Sequence, residues 1–118
     1  PNTVPEVLKN FINKKYPQAT IVDIEVEKGI TEIDILHDNK AKELHFNSAN
    51  EWLYTTWEVK EREIQEIADN VKAANPGFHV DDIDYKESAD NSKVYIFELE
   101  QGDHEKYVTV DMEGNIVG

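Results

Sequence analysis

The sequence predicts an α+β protein, a tandem repeat of one helix plus four antiparallel strands that forms one continuous curved sheet with both helices on one face. Three observations lead there. Two helix-ending prolines, Pro17 and Pro76, lie 59 residues apart; apolar and acidic residues alternate with a strand period; and short polar turns divide the alternating stretches. Residues 1–118 then read as a single domain made of two repeats, about 3–59 and 60–118.

The elements follow in order. Thr3-Val4-Pro5-Glu6 has the spacing of a capping box, and Leu8, Phe11 and Ile12 continue from it at helical intervals. Tyr16-Pro17 ends this helix, because proline lacks the N–H and restricts the residue before it. Val22, Ile24 and Val26 alternate with Asp23, Glu25 and Glu27, the period of a half-buried strand. His37-Asp38-Asn39-Lys40 reads as a two-residue hairpin turn, which places Ile33 across from Leu44. After the turn Asn47–Asn50, Trp52-Leu53-Tyr54 opens the fourth strand.

The second half repeats this order. A helical pattern from about Glu61 to Ala74 puts Ile64, Ile67, Ala68 and Val71 on one face and stops at Asn75-Pro76-Gly77. At an offset of 59, Ile24 aligns with Ile83. After the longer turn Ser88–Ser92 the offset becomes 64, and Ile33-Asp34-Ile35 aligns with Phe97-Glu98-Leu99. Gln101-Gly102-Asp103-His104 supplies the matching hairpin turn, and Asn50-Glu51-Trp52-Leu53 aligns with Gly114-Asn115-Ile116-Val117. These connections are too short for crossovers, so the pairing is antiparallel.

Composition removes several classes of function. Twelve Lys+Arg against 25 Asp+Glu give a formal charge of −13, which phosphate backbones and anionic lipid surfaces repel. No apolar run approaches the ~20 residues of a membrane-spanning helix. Without cysteine there is no disulfide, thiolate nucleophile or zinc–thiolate site. Serine occurs only at 48, 88 and 92, all in turns, and neither a nucleophile elbow nor a glycine-rich phosphate loop is present. The chain reads as a non-enzyme.

Alternation assigns one side of the sheet to water. That side carries Asp23, Glu25, Glu32, Asp34, Glu43 and His45 in the first half and Asp82, Asp84, Glu98 and Thr109 in the second, interrupted by Leu36, Ile96 and Tyr107. Charge sets orientation in such a surface and the apolar groups supply contact area, so it suits a protein partner of basic or mixed character. The competing reading is an ordinary solvated face. Trp52, Tyr54 and Trp57 form the densest aromatic stretch, and alternation cannot bury all three on one side; they count either as binding anchors or as core.

Calcium is the alternative ligand. Asp111, Glu113 and Asn115 place oxygens at every second residue around a glycine turn, and the acid-rich stretch Asp81-Asp82-Ile83-Asp84 is a candidate source of further ligands in Asp82 and Asp84. The same spacing serves a hairpin turn. The four histidines lack the i, i+4 or clustered spacing of a transition-metal site, and the predicted register sets His45 opposite Glu32 as a surface pair.

The stretches Pro76–Tyr85 and Lys106-Tyr107-Val108-Thr109-Val110-Asp111-Met112-Glu113-Gly114-Asn115-Ile116-Val117 resemble the units of PepSY-like proteins: a helix, a proline, an acidic strand, and a hairpin ending in a turn glycine. The first half departs from the pattern at Leu44-His45-Phe46-Asn47, with no turn glycine. The tandem arrangement looks like the duplicated, periplasmic PepSY-like group of Bacteroides-type bacteria, which has the fold of the β-lactamase inhibitor protein. The resemblance implies a periplasmic or secreted, non-catalytic protein whose signal peptide has been removed. It also implies a role as a ligand binder or inhibitor engaging another envelope or secreted protein.

Overall fold

The computed structural model describes residues 3–118; Pro1 and Asn2 lie outside them. The elements are α1 (Glu6–Lys15), β1 (Thr20–Glu27), β2 (Ile30–His37), β3 (Lys40–Phe46), β4 (Trp52–Glu58), a 3₁₀ turn (Glu61–Ile64), α2 (Gln65–Ala74), β5 (His79–Ser88), β6 (Lys93–Gln101) and β7 (His104–Asp111). The seven strands pair antiparallel with their neighbours in chain order, β1 to β4 in the first half and β5 to β7 in the second. This overturns the expected tandem repeat of a helix plus four strands. Residues 114–117, expected to match 50–53 at the start of β4, make only the isolated bridge Val110↔Ile116. They lie beside β7 through Val117 N–H to Thr109 O and Thr109 N–H to Gly118 O, and a single rung is not a strand.

The chain divides into two compact units. The first runs to Trp57 and includes Ser88–Asp90; the second comprises Glu58–Glu87 and Asn91–Gly118.

In the first unit α1 starts after Pro5, whose extended backbone makes it the N-cap residue. No side chain caps this end, so the capping box expected at Thr3 is not made. Glu6 in the first turn and Lys14 and Lys15 in the last complement the helix dipole. Leu8, Ile12 and Tyr16 bury one face of the helix against Ile24, Ile33, Ile35, Leu44 and Phe46. Asp38 and Asn39 both take positive φ (51° and 62°), the requirement of a tight primed turn, and the hairpin closes in the predicted register with Ile33 opposite Leu44.

Two bulges modify the alternation. One between Ile21 and Asp23 in β1 turns Val22 outward, against expectation, while Ile24 stays buried. Val26, also expected inside, lies exposed at the end of its strand. The second bulge sets Phe46 opposite Trp52 and His45 opposite Tyr54, with Leu53 as the extra residue.

In the second unit the helical pattern expected from Glu61 begins as the 3₁₀ turn, where the Glu63 carboxylate accepts the Lys60 N–H at 2.8 Å, and becomes α-helical at Gln65. Ala68 and Val71 are buried, as are Ile83, Phe97, Leu99, Val108 and Val110. The β6–β7 turn has Gly102 at φ 60° and sets Phe97 opposite Val108. A bulge between Val80 and Asp82 falls 59 residues after the one in β1.

Candidate functional site

The best-defined polar constellation is on the outward side of the first unit's sheet. In β2, Ile33 and Ile35 point inward, so Glu32, Asp34 and Leu36 point out. The tight Asp38-Asn39 turn then fixes their neighbours on β3: His45 opposite Glu32, Glu43 opposite Asp34 and Ala41 opposite Leu36. β1 adds Glu25 beside Glu32 and Asp23 beside Asp34, and β4 adds Tyr54 beside His45.

The His45 ring stacks on Tyr54 with centroids 4.4 Å apart and planes 19° from parallel. Its Nε2 lies 3.8 Å from Glu32 Oε1 and 3.8 Å from Glu43 Oε1. The histidine side chain is only 16 % exposed. Partial burial is the main reason the Glu32 carboxyl is pushed up to about 7; Glu43, then a hydrogen bond and charge from Asp34, then Glu25 add to it. Burial and the same two glutamates raise the Tyr54 hydroxyl. Asp34 Oδ1 is shielded from water and has no hydrogen-bond partner.

Two shallow hollows flank this group. One of about 350 Å³ is lined by Val22, Asp34, Leu36, Ala41 and Glu43. Its apolar members are open to solvent, Val22 at 66 % and Leu36 at 50 % exposure. The other, about 320 Å³, lies among Glu25, Glu27, Lys28, Ile30, Glu32 and His45.

Of the residues singled out as partner-binding, Leu36, His45 and Tyr54 therefore share one surface. Trp52 and Trp57 do not. The β4 bulge places them with Phe46 and Lys42 on the helix side, where Trp52 packs 5.7 Å from Phe11 and donates its indole N–H to Thr55 Oγ1. Ile96 and Tyr107 belong to the second unit: Ile96 is half-buried opposite Asp84 and Thr109, and Tyr107 stands 60 % exposed opposite Glu98.

The residues proposed for calcium are spread apart. Asp111 Oδ1 accepts the backbone N–H groups of Glu113 (3.0 Å) and Asn115 (2.9 Å), and Oδ2 accepts the Asn115 amide (3.1 Å). These bonds hold its carboxyl below the usual range. Asn47 does the same for Ala49 and Glu51 in the equivalent turn of the first unit. Asp82 faces Glu58, which, after burial, holds its carboxyl up, and Asp84 lies opposite Ile96.

Among the described residues, the groups whose ligand atoms converge are Glu32/Glu43/His45, His79/Asp81/Glu100 and Glu98/Glu100/Glu105. Each group takes two members from one strand, two residues apart, and the third from the neighbouring strand, so histidine spacing along the chain could not reveal them; the signal available was cross-strand register. Glu98 is pushed up to about 7, first by its hydrogen bond with Glu105 and then by burial. No helix among the described residues is long and apolar enough to cross a membrane.

No protein-family model matches the chain, and no curated protein matches it in sequence. Solved structures match it in fold. A BLIP-like protein from Bacteroides fragilis superposes with a TM-score of 0.86 at 20 % identity, over 100 % of this chain and 86 % of that one. A DUF2874 family protein from Bacteroides ovatus gives 0.82 at 17 % identity, over 100 % and 87 %. A protein from Bacteroides eggerthii, described with a proposed periplasmic location, gives 0.79 at 14 % identity, over 99 % and 88 %. The fold is therefore BLIP-like.

Proposed function

We propose that the chain is a non-catalytic periplasmic or secreted protein that binds a protein partner, in the manner of an inhibitor or sensor, through the outward side of the first unit's sheet. One observation carries this reading: Val22 and Leu36 are exposed together in a hollow whose walls are Asp34 and Glu43. An apolar seat inside an acidic rim is an arrangement in which a partner's aliphatic or aromatic side chain is desolvated while basic neighbours set its orientation. The BLIP-like fold of the Bacteroides fragilis protein supports the inhibitor-like role, and the Bacteroides eggerthii protein supports the compartment. Calcium finds no separate support at the Asp111 turn, where the carboxylate oxygens are occupied by the turn's own donors.

The test is a photo-crosslinking residue at position 36, with Lys9 on the exposed side of α1 as the control position. A discrete adduct is expected from 36 alone. It should disappear in Val22→Asp, whose melting temperature stays within a few degrees of the parent because position 22 is already exposed. The same adduct from both positions, or its survival in Val22→Asp, refutes the reading.

A further inference from the structure

We propose that Glu32, Glu43 and His45 form a binding site for a divalent transition metal of the zinc class, with His45 Nε2 and one oxygen from each glutamate as ligands. The donor set has one imidazole nitrogen and two carboxylate oxygens, which zinc-like ions accept and which calcium or magnesium, preferring oxygen alone, match less well.

The geometry is nearly closed. Bond lengths of about 2.0–2.2 Å put neighbouring ligands of a tetrahedral ion roughly 3.4 Å apart. Nε2 stands 3.8 Å from both glutamate oxygens, and all three atoms lie within 4.8 Å of one another. Movements of a few tenths of an ångström bring Nε2 to ligand spacing from each glutamate oxygen, and the two oxygens have at most 4.8 Å to close from. Stacking on Tyr54 fixes the plane of the His45 ring, and the 320 Å³ hollow in front of it leaves room for water or an exogenous ligand in the open position.

A separate observation points the same way. Asp34 Oδ1, on the strand between Glu25 and Glu43, is buried without a donor, so this side of the sheet carries more acceptor capacity than the protein itself satisfies. A cation held by Glu43, the residue opposite Asp34, offsets the negative charge gathered there. The ionisable groups around the site are Glu25, Glu27, Lys28, Asp34 and Tyr54, with a preponderance of acids. The other two convergent groups fit less well: Glu98/Glu100/Glu105 has no nitrogen donor, and His79 is largely exposed.

Isothermal titration of the intact chain with zinc chloride at pH 7.5 tests the proposal. One equivalent should bind, and the His45 ring nitrogen resonances should move on saturation. His45→Ala should weaken binding by at least about a hundredfold, since even second-sphere changes cost ten- to a hundredfold. Glu43→Gln, at a half-exposed position where folding is undisturbed, should weaken it about tenfold or more, and His79→Ala should leave it unchanged. Absence of binding overturns the proposal. So does binding that survives both His45→Ala and Glu43→Gln, or that His79→Ala abolishes. Crosslinking at position 36 in the presence of chelator reads the partner surface alone, so the two ideas fail separately.

Discussion

Lys42 shows how much one residue's surroundings depend on chain segments far from it. It is 6 % exposed, with its ammonium 4.2 Å from the Trp57 ring centre, 5.0 Å from that of Tyr16 and 2.9 Å from His37 Nδ1. Its inward direction was legible, because position 42 alternates in phase with Leu44 and Phe46. Its partners were not, since they come from the end of α1, the end of β2 and the end of β4. A buried ammonium held between aromatic faces is stabilised by their quadrupoles but has lost its hydration. Lys42→Met keeps the stem and removes the charge, so it should change unfolding free energy by less than about 1.5 kcal/mol. Lys42→Glu sets an anion against two ring faces and should cost about 3 kcal/mol or more. Urea denaturation of both variants separates the effects, and equal costs would show that the rings do not select a cation.

At the scale of elements, two-residue turns and strand periodicity predicted both hairpins with the right facing pairs, because a tight turn leaves no freedom in register. What alternation could not register was the bulge. An extra residue at Val22 or Leu53 reverses the side on which its neighbours fall, and neither position carries a glycine or other local signal. The outward apolar seat at Val22 and the separation of Tyr54 from Trp52 and Trp57 both follow from those bulges. The fourth strand expected at residues 114–117 was lost for another reason: apolar identity at Ile116 and Val117 was matched, but the number of ladder rungs was not. The Asp38-Asn39 turn provides the test at this scale. Asn39 sits at φ 62°, where a β-branched side chain is strained, so Asn39→Val should destabilise the protein by roughly 1–2 kcal/mol. Asn39→Gly should be neutral or stabilising. A neutral Asn39→Val in chemical denaturation would mean that the turn does not hold the register of Glu32 and His45.

For the molecule as a whole, the charge of −13 was plain in the composition, but which carboxyls oppose one another emerged only from strand pairing. Glu32 and Glu98, each pushed up to about 7, and Asp82, also raised, bind protons more tightly in the folded chain than in the unfolded one. Their contribution to stability is fully present below the ordinary carboxyl range and is lost as pH rises through about 7. Glu61, held down by its hydrogen bond from Lys72, and Asp111, held down by its turn, act in the opposite sense: they stabilise above the ordinary range and lose that effect in acid. The melting temperature should therefore rise from pH 8 to about pH 5 and fall again below about pH 4. Salt should raise it more at pH 8 than at pH 5, since only the ionised acids repel. The double variant Glu32→Gln/Glu98→Gln removes the two strongest contributors, so it should melt higher than the parent at pH 8 and show a shallower rise toward pH 5. Calorimetry in chelator excludes any metal contribution. A parent melting temperature that is flat or falls between pH 8 and pH 5 would mean that the paired acids are screened in solution.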